Sequence, residues 1–222
     1  MIAIKESPTA TADRNPPAPA MVPIRTLEPA DRAWIARHLL ELNPADRYLR
    51  FGYSANDEQI HRYVEQLDFD RDEVFGICNR QLEPIALAHL AFPKPAEHKQ
   101  CAEFGVSVLE RARGRGFGSC LFERAVMHAR NEGVSMLFVH ALSQNTAMLK
   151  IARNAGASVR RDGPETEAYL QLPPANLDTR VAELVEQQFA EMDYQFKRQA
   201  KQFWDFLASV QEVRREHHPP TQ

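Results

Sequence analysis

The sequence predicts a mixed α/β sheet domain followed by a separate long helix. Three observations carry this. Segments with the two-residue period of strands interleave with segments of helical period between residues 22 and 174. The pair Pro173-Pro174 closes that region. From Asp178 to Arg215 there is then neither Gly nor Pro, as a single helix requires.

Taken in order, residues 1–21 are rich in Pro, Ala and Thr and are expected to form a disordered tail. Met21–Leu27 alternates as a first strand. Pro29 suits a helix start, with Ile35, Leu39 and Leu42 at helical spacing until Asn43-Pro44 breaks it. Ala45–Phe51 reads as a short surface helix dense in arginine and aromatics. Asn56 with Gln59 has the form of an N-cap, and Ile60, Tyr63, Val64 and Leu67 follow as an amphipathic stripe. Asp72–Asn79 and Pro84–Phe92 read as a hairpin around residues 80–83, and Pro93–Lys99 as a loop.

A central strand, Gln100–Leu109, comes next. Gly116–Arg130 is expected to be a helix with Phe117, Leu121, Ala125 and Ala129 in register. Val134–Leu142 is apolar enough for a strand buried on both faces. Asn145–Ala155 predicts a helix buried along Met148, Ile151, Ala152 and Ala155, ended by Gly156. Strands at Ala157–Arg161 and Glu165–Leu172 complete a domain spanning 22–174. In the remaining segment, 175–222, Val185, Phe189, Met192, Phe196, Phe203, Phe206, Val210 and Val213 form a seam interrupted by Gln199. At 1.5 Å per residue such a helix reaches on the order of 55 Å, too long to be covered by its own domain. A homo-oligomer through this helix is the expectation, with packing on its own domain as the alternative.

With 222 residues, 44% hydrophobic and 26% charged, the chain can bury an ordinary core. A net charge of −3 argues against a general nucleic-acid binder. No apolar run approaches the roughly 18–20 residues of a membrane span. The N-terminus lacks the apolar core of a signal peptide. Cys78, Cys101 and Cys120 are too dispersed for a CxxC pair, so a reduced, cytoplasmic protein is expected. No HExxH or Cys/His spacing suggests a metal.

The chemistry centres on residues 103–118. Phe104, Val106 and Val108 share one strand face; Glu103, Gly105 and Ser107 share the other, with room for something to lie against it. Arg113, Gly114, Arg115, Gly116, Phe117, Gly118 and Ser119 then make a basic glycine turn opening a helix, where unpaired N–H groups and the helix dipole favour an anion. This is no GxxxxGK[ST] phosphate loop, and Ser119 spoils a GxGxxG reading.

Arg113-x-x-Gly116-x-Gly118, with Val108 five residues before the arginine and Asn145, Met148, Ile151 and Gly156 following, resembles the acyl-CoA signature of the GNAT superfamily of N-acetyltransferases. The resemblance runs over about residues 22–172. It implies a mostly antiparallel sheet with flanking helices, and acetyl-CoA as co-substrate with no metal. The pyrophosphate would lie on the N–H groups of residues 114–119, and the pantetheine arm beside Val106 and Val108. The strands on either side of the slot would splay apart. It also implies Val108 N–H as donor to the thioester carbonyl, Asn145 as a contact to the cofactor arm, and Glu103 as the base for the acceptor amine.

Burial is expected to raise the pKa of Glu103; an ion pair with Arg47 or Arg50 is the alternative use of that carboxylate. Many family members carry a Tyr seven residues after the motif Asn, where this chain has Ala152. The segments Arg47–Phe51 and Ala102–Val108 resemble the acetyltransferase domain of bacterial Pat-type protein lysine acetyltransferases, which also have a small residue there. The implied reaction is direct acetyl transfer to a primary amine, with a protein lysine as one acceptor. A small-molecule amine and a non-catalytic CoA-sensing module are the alternatives. His89 and His140 are read as structural histidines that could face the slot, Cys120 as a small core residue, and His217 and His218 as tail residues.

Overall fold

The computed structural model describes residues 21–93 and 101–216. The N-terminal tail up to residue 20, most of the loop 93–99, and His217 and His218 lie outside the described residues. Seven strands form one sheet in the order β1-β2-β3-β4-β5-β7-β6. They are β1 (Arg25–Thr26), β2 (Glu73–Cys78), β3 (Pro84–Ala91), β4 (Cys101–Val108), β5 (Met136–Leu142), β6 (Ser158–Asp162) and β7 (Glu165–Gln171). Every pairing is antiparallel except β4 with β5. The first strand is shorter than the sequence suggested, because only Arg25 and Thr26 pair with β2.

The helices are α1 (Arg32–Glu41), α2 (Pro44–Phe51), α3 (Asp57–Glu65), α4 (Phe117–Asn131), α5 (Thr146–Asn154) and α6 (Leu177–Glu216). Asn43 caps α2 by accepting from Asp46 N, and Asn56 with Gln59 forms a reciprocal capping box on α3. The hairpin turn between β2 and β3 places Leu82 at φ 62. Asn79 Oδ1 supports it by accepting from the N–H groups of Gln81 and Glu83.

Two apolar layers hold the sheet. On one face Phe75, Ala88, Phe104, Leu137, Val139 and Ala168 pack against Leu121, Phe122 and Ala125 of α4 and Met148 and Ala152 of α5. On the other, Val74 and Leu87 pack against Ile35 and Leu39 of α1 and Ile60 and Val64 of α3. The buried stripe of α5 is Met148, Leu149 and Ala152, so it is rotated from the expected one: Ile151 is half-buried and Ala155 exposed. Cys120 is likewise only half-buried, packed on the edge of the core.

The apolar cluster of the second layer stops at β4. Strand β5 is therefore not buried on both faces: Leu137, Val139 and Ala141 point into the core, whereas Phe138 is half-buried and His140 exposed. Helix α2 approaches β5 as well as β4, and Phe138 is shielded further by edge-on packing with Tyr169 of β7, centroids 5.1 Å apart.

Helix α6 runs from α4 past β1, and its domain-facing side is largely polar. Glu183 accepts from His128 Nδ1 (2.7 Å) and pairs with the buried Arg124 (3.2 Å). Thr179 bonds Asn131, and Arg25 lies 3.8 Å over the Tyr194 ring. Ala190 is the buried apolar contact. Leu177, Leu184, Met192 and Phe196 are 59–78% exposed on the rest of the helix. The described helices include none long and apolar enough to cross a membrane.

Candidate active site

The site begins where β4 and β5 part. Their parallel pairing consists of Cys101 with Met136, Ala102 with Leu137, and Glu103 with Phe138. Beyond Glu103 the two strands separate. On its other side β4 stays paired with β3 as far as Ala86 opposite Val108, and Leu109 N donates to Ile85 O. In an antiparallel ladder alternate residues send both peptide groups to the same side. The bond at Leu109 therefore assigns Glu103, Gly105 and Ser107 to β3. The peptide groups of Phe104, Val106 and Val108 turn toward the gap beside β5. Val108 O receives Arg113 Nε at 3.2 Å, which leaves the Val108 and Val106 N–H groups aimed into the gap.

The glycine turn follows. Gly114 (φ 74) and Gly116 (φ 79) adopt the left-handed conformation, and Gly116 caps α4 without a side chain. The first backbone bond of the helix is Cys120 N to Gly116 O. Among the described residues, the N–H groups of Gly114 through Ser119 therefore find no protein acceptor, and they form a continuous run at a helix N-terminus. Gly118 serves packing instead: an added Cβ would come 3.1 Å from Ile151 Cδ1 of α5.

The two arginines of the turn differ. Arg113 is drawn to Asp46 of α2 and to Val108 O, so it braces the turn. Arg115 is exposed, with its guanidinium 4.6 Å over the Phe117 ring. Asn145 Oδ1 accepts from Met148 N at 3.1 Å and caps α5. A nearby cavity of about 390 Å³ is lined by Glu41, Asp46 and Glu110 as well as Arg111, which suits an anion poorly.

The opposite face of β4 holds more than the sequence showed. The room expected over its small residues is filled. The guanidinium of Arg50, from α2, lies against Gly105, where an added Cβ would meet Cζ at 2.9 Å. His38, from α1 and fully buried, bonds Ser107 Oγ through Nε2 at 2.8 Å. Burial pushes His38 down to about 4, with the Arg50 and Arg111 cations acting in the same direction.

Arg50 Nη2 donates to Tyr63 Oη (2.9 Å), which contacts His89 Nδ1 (2.8 Å); His89 Nε2 meets Asp72 Oδ2 at 3.2 Å. Asp72 sits well below the usual carboxylate range. Burial alone would raise it, but bonds from His89, Arg71 and Phe92 N outweigh that. Neither Tyr63 nor His89 could be placed here from spacing, because α3 and β3 meet only in three dimensions.

Among the described residues Glu103 itself is exposed at the mouth of the gap, which overturns the burial expected of it: no side chain of the apolar layers reaches it. Nor does it use the suggested arginines. Arg47 is spent on the carbonyls of Leu40, Leu42 and Ala55 and on Asp57, and Arg50 on Tyr63. Beyond Glu103 the same face continues through Phe138 and Tyr169 to Glu167, whose carboxylate accepts from the Tyr169 hydroxyl. His140 lies on the same strand face, 3.5 Å from Glu165, and is exposed. Ala152 is fully buried, so no side chain from that position enters the gap.

Comparisons agree with this geometry. Residues 22–158 match the model of the acetyltransferase (GNAT) domain family. Acetyltransferase Pat from Mycolicibacterium smegmatis is 25% identical over 166 residues, which is 74% of this chain; the chain spans about half the length of that relative. The GNAT domain of PAT from S. lividans superposes with a TM-score of 0.56 at 22% identity, covering 67% of this chain and 89% of that one. Spermidine N-acetyltransferase from Vibrio cholerae, solved with CoA and spermine, gives 0.55 at 17%, covering 69% and 96%. These likenesses carry the fold; the match over 22–158 carries the family. The splayed strands, the run of free N–H groups and that match place the chain in the GNAT acetyltransferase family.

Proposed function

We propose that the protein transfers an acetyl group from acetyl-CoA to the amine of a lysine side chain on a protein, by direct attack with both substrates bound. The observation that carries the choice of acceptor is the open face. Among the described residues Glu103 is exposed beside the half-buried Phe138, Tyr169 and Glu167, which suits a chain segment better than a small enclosed amine. The relative solved with CoA and spermine supports acetyl-CoA as donor and an amine as acceptor, whereas the likeness to Acetyltransferase Pat is what favours a protein lysine over a polyamine.

The residues present fit the cofactor. The free N–H groups of Gly114 through Ser119, with Arg115 beside them, would hold the pyrophosphate. Val106 and Val108 offer their N–H groups in the gap, and at Val108 such a donor would meet charge developing on a carbonyl. Arg113 and Phe117 shape the turn, and Asn145 fixes the start of α5 beside it. Bound acetyl-CoA supplies the activated acetyl group. A lysine with a pKa near ~10.4 is mostly protonated at neutral pH, so Glu103 would accept its proton. The proposed transfer is written without a metal, as the sequence motifs imply. A cytoplasmic location fits free cysteines at 78, 101 and 120.

The polar inner and apolar outer sides of α6 favour a homo-oligomer joined through the helix. One experiment addresses both claims. The purified protein is sized by light scattering, then incubated with acetyl-CoA and either lysine-bearing proteins or a panel of polyamines and amino acids while thiol release is followed. Release with proteins and a mass above 25.3 kDa are expected. Release only with small amines, or a monomeric mass, refutes the corresponding part.

A further inference from the structure

The chain of hydrogen bonds from Arg50 to Asp72 lies outside the two apolar clusters that close the layers of the sheet. Its direction follows from the carboxylate end. Asp72 can only accept, so His89 donates from Nε2–H, and a neutral His89 then offers its Nδ1 lone pair to the phenol proton while the Tyr63 oxygen accepts from Arg50. Asp72 is fixed from three further directions, by Arg71 Nε (2.7 Å), Arg71 Nη2 (2.9 Å) and Phe92 N (3.1 Å). A cation on α2 is thus tied through α3 and β3 to an anchored carboxylate.

The place where this cation is held matters. Arg50 lies on Gly105, two residues beyond Glu103 on the same face, at the level where β4 and β5 have just parted. An acceptor amine that reaches the gap past Glu103 must come to rest beside it. We propose that Arg50 is an activating cation for the acceptor, which disfavours the ammonium form of the incoming amine, and that Tyr63, His89 and Asp72 are positioning residues that hold it there. The inference rests on the reading of the Glu103 face as the acceptor side.

The physical reason is like-charge repulsion. A fixed cation several ångströms from a second one lowers the pKa of the latter. Arg50, held on Gly105, is the cation that an amine entering past Glu103 meets. The charged and titratable groups facing Arg50 are Tyr63 from α3, Glu103 from β4 and the neutral His38 from α1, with His89 and Asp72 behind the phenol. Burial pushes the Tyr63 phenol up while Arg50 pulls it down, so the phenol keeps its proton and the chain keeps its direction.

The test uses Arg50→Gln, Arg50→Lys and Tyr63→Phe in the full chain. Turnover at saturating substrates reports ionisations in the bound complex, and it is followed above pH 6.5, clear of the carboxylates. The expected midpoint rises by about one pH unit in Arg50→Gln, by less in Tyr63→Phe, and returns toward wild type in Arg50→Lys. Acetyl-CoA affinity by calorimetry stays within about twofold, since the site of the cofactor is not touched. Nitrogen NMR of the ligand-free protein should show His89 protonated on Nε2 only. An unmoved midpoint in a folded Arg50→Gln overturns the role of Arg50, and the opposite His89 tautomer overturns the positioning chain. Absence of transfer to any amine removes the functional reading and the role of Arg50 with it, while the His89 tautomer still decides the chain.

Discussion

The two ends of β4 are built in opposite ways. At the Val108 end, the turn from Arg113 to Ser119 is made of consecutive residues. Its working groups are backbone N–H, and two left-handed glycines present them. At the Glu103 end, the surroundings come from α2, α3, β3 and β5, and every working group is a side chain. The first end is local and needs little support. The second exists only when distant segments have met, so it has many points at which one substitution can loosen it.

The largest expected effect breaks the second end. Glu103→Gln should lower turnover by ~10²-fold or more while acetyl-CoA binds as before. Near-normal turnover would take the proton-accepting role away from Glu103.

The next tests the first end. A side chain at Gly116 would meet nothing within 4 Å, so crowding is not the issue. The cost is conformational, because φ 79 in a residue with a Cβ carries about 1–2 kcal/mol, and more in a β-branched one. Gly116→Val should therefore weaken acetyl-CoA at least roughly tenfold by calorimetry, without altering the fold seen by circular dichroism. Equal affinity would mean that the anion is held elsewhere.

The smallest effect concerns stability and sharpens the contrast. His38 ionises near 4 in the fold and near 6.5 when unfolded, so between those values the unfolded chain binds the extra proton. Stability present above pH 6.5 is then lost as pH falls toward 4. The slope of 1.36 kcal/mol per unit gives a loss of about 2 kcal/mol by pH 5. Urea midpoints at pH 7 and pH 5 should diverge for the wild type and converge for His38→Gln. Parallel behaviour of the two proteins would show that His38 is not the titrating group.

Much of this molecule was legible before folding. Caps such as Asn56 with Gln59, the Arg80–Glu83 hairpin, and the stripe from Phe117 to Ala129 depend on residues a few positions apart, and each lies where the pattern put it. The misreadings share a cause. The apolar run Val134–Leu142 looked buried on both faces because hydropathy records what a strand tolerates; whether apolar side chains lie above it is set by the cluster that ends at β4. Gly105 and Ser107 looked like vacant space because a one-dimensional pattern cannot show which side chains will cover them. Arg50 and His38 do so from 55 and 69 positions away.

The long helix divides along the same line. Its length and its apolar residues followed from a stretch without Gly or Pro. That it turns Thr179 and Glu183 toward the domain and leaves Met192 and Phe196 outward was settled by the partners waiting on α4: Asn131, the buried Arg124 and the half-buried His128. The sequence by itself determined the elements and the glycine turn with its unpaired N–H groups, since both arise from short-range backbone preferences. The tertiary structure alone decided that Glu103 is exposed, that Arg50 stands beside it, and that a phenol, an imidazole and a carboxylate hold Arg50 in place. Those are contacts between segments that only the packing of helices on a sheet brings together.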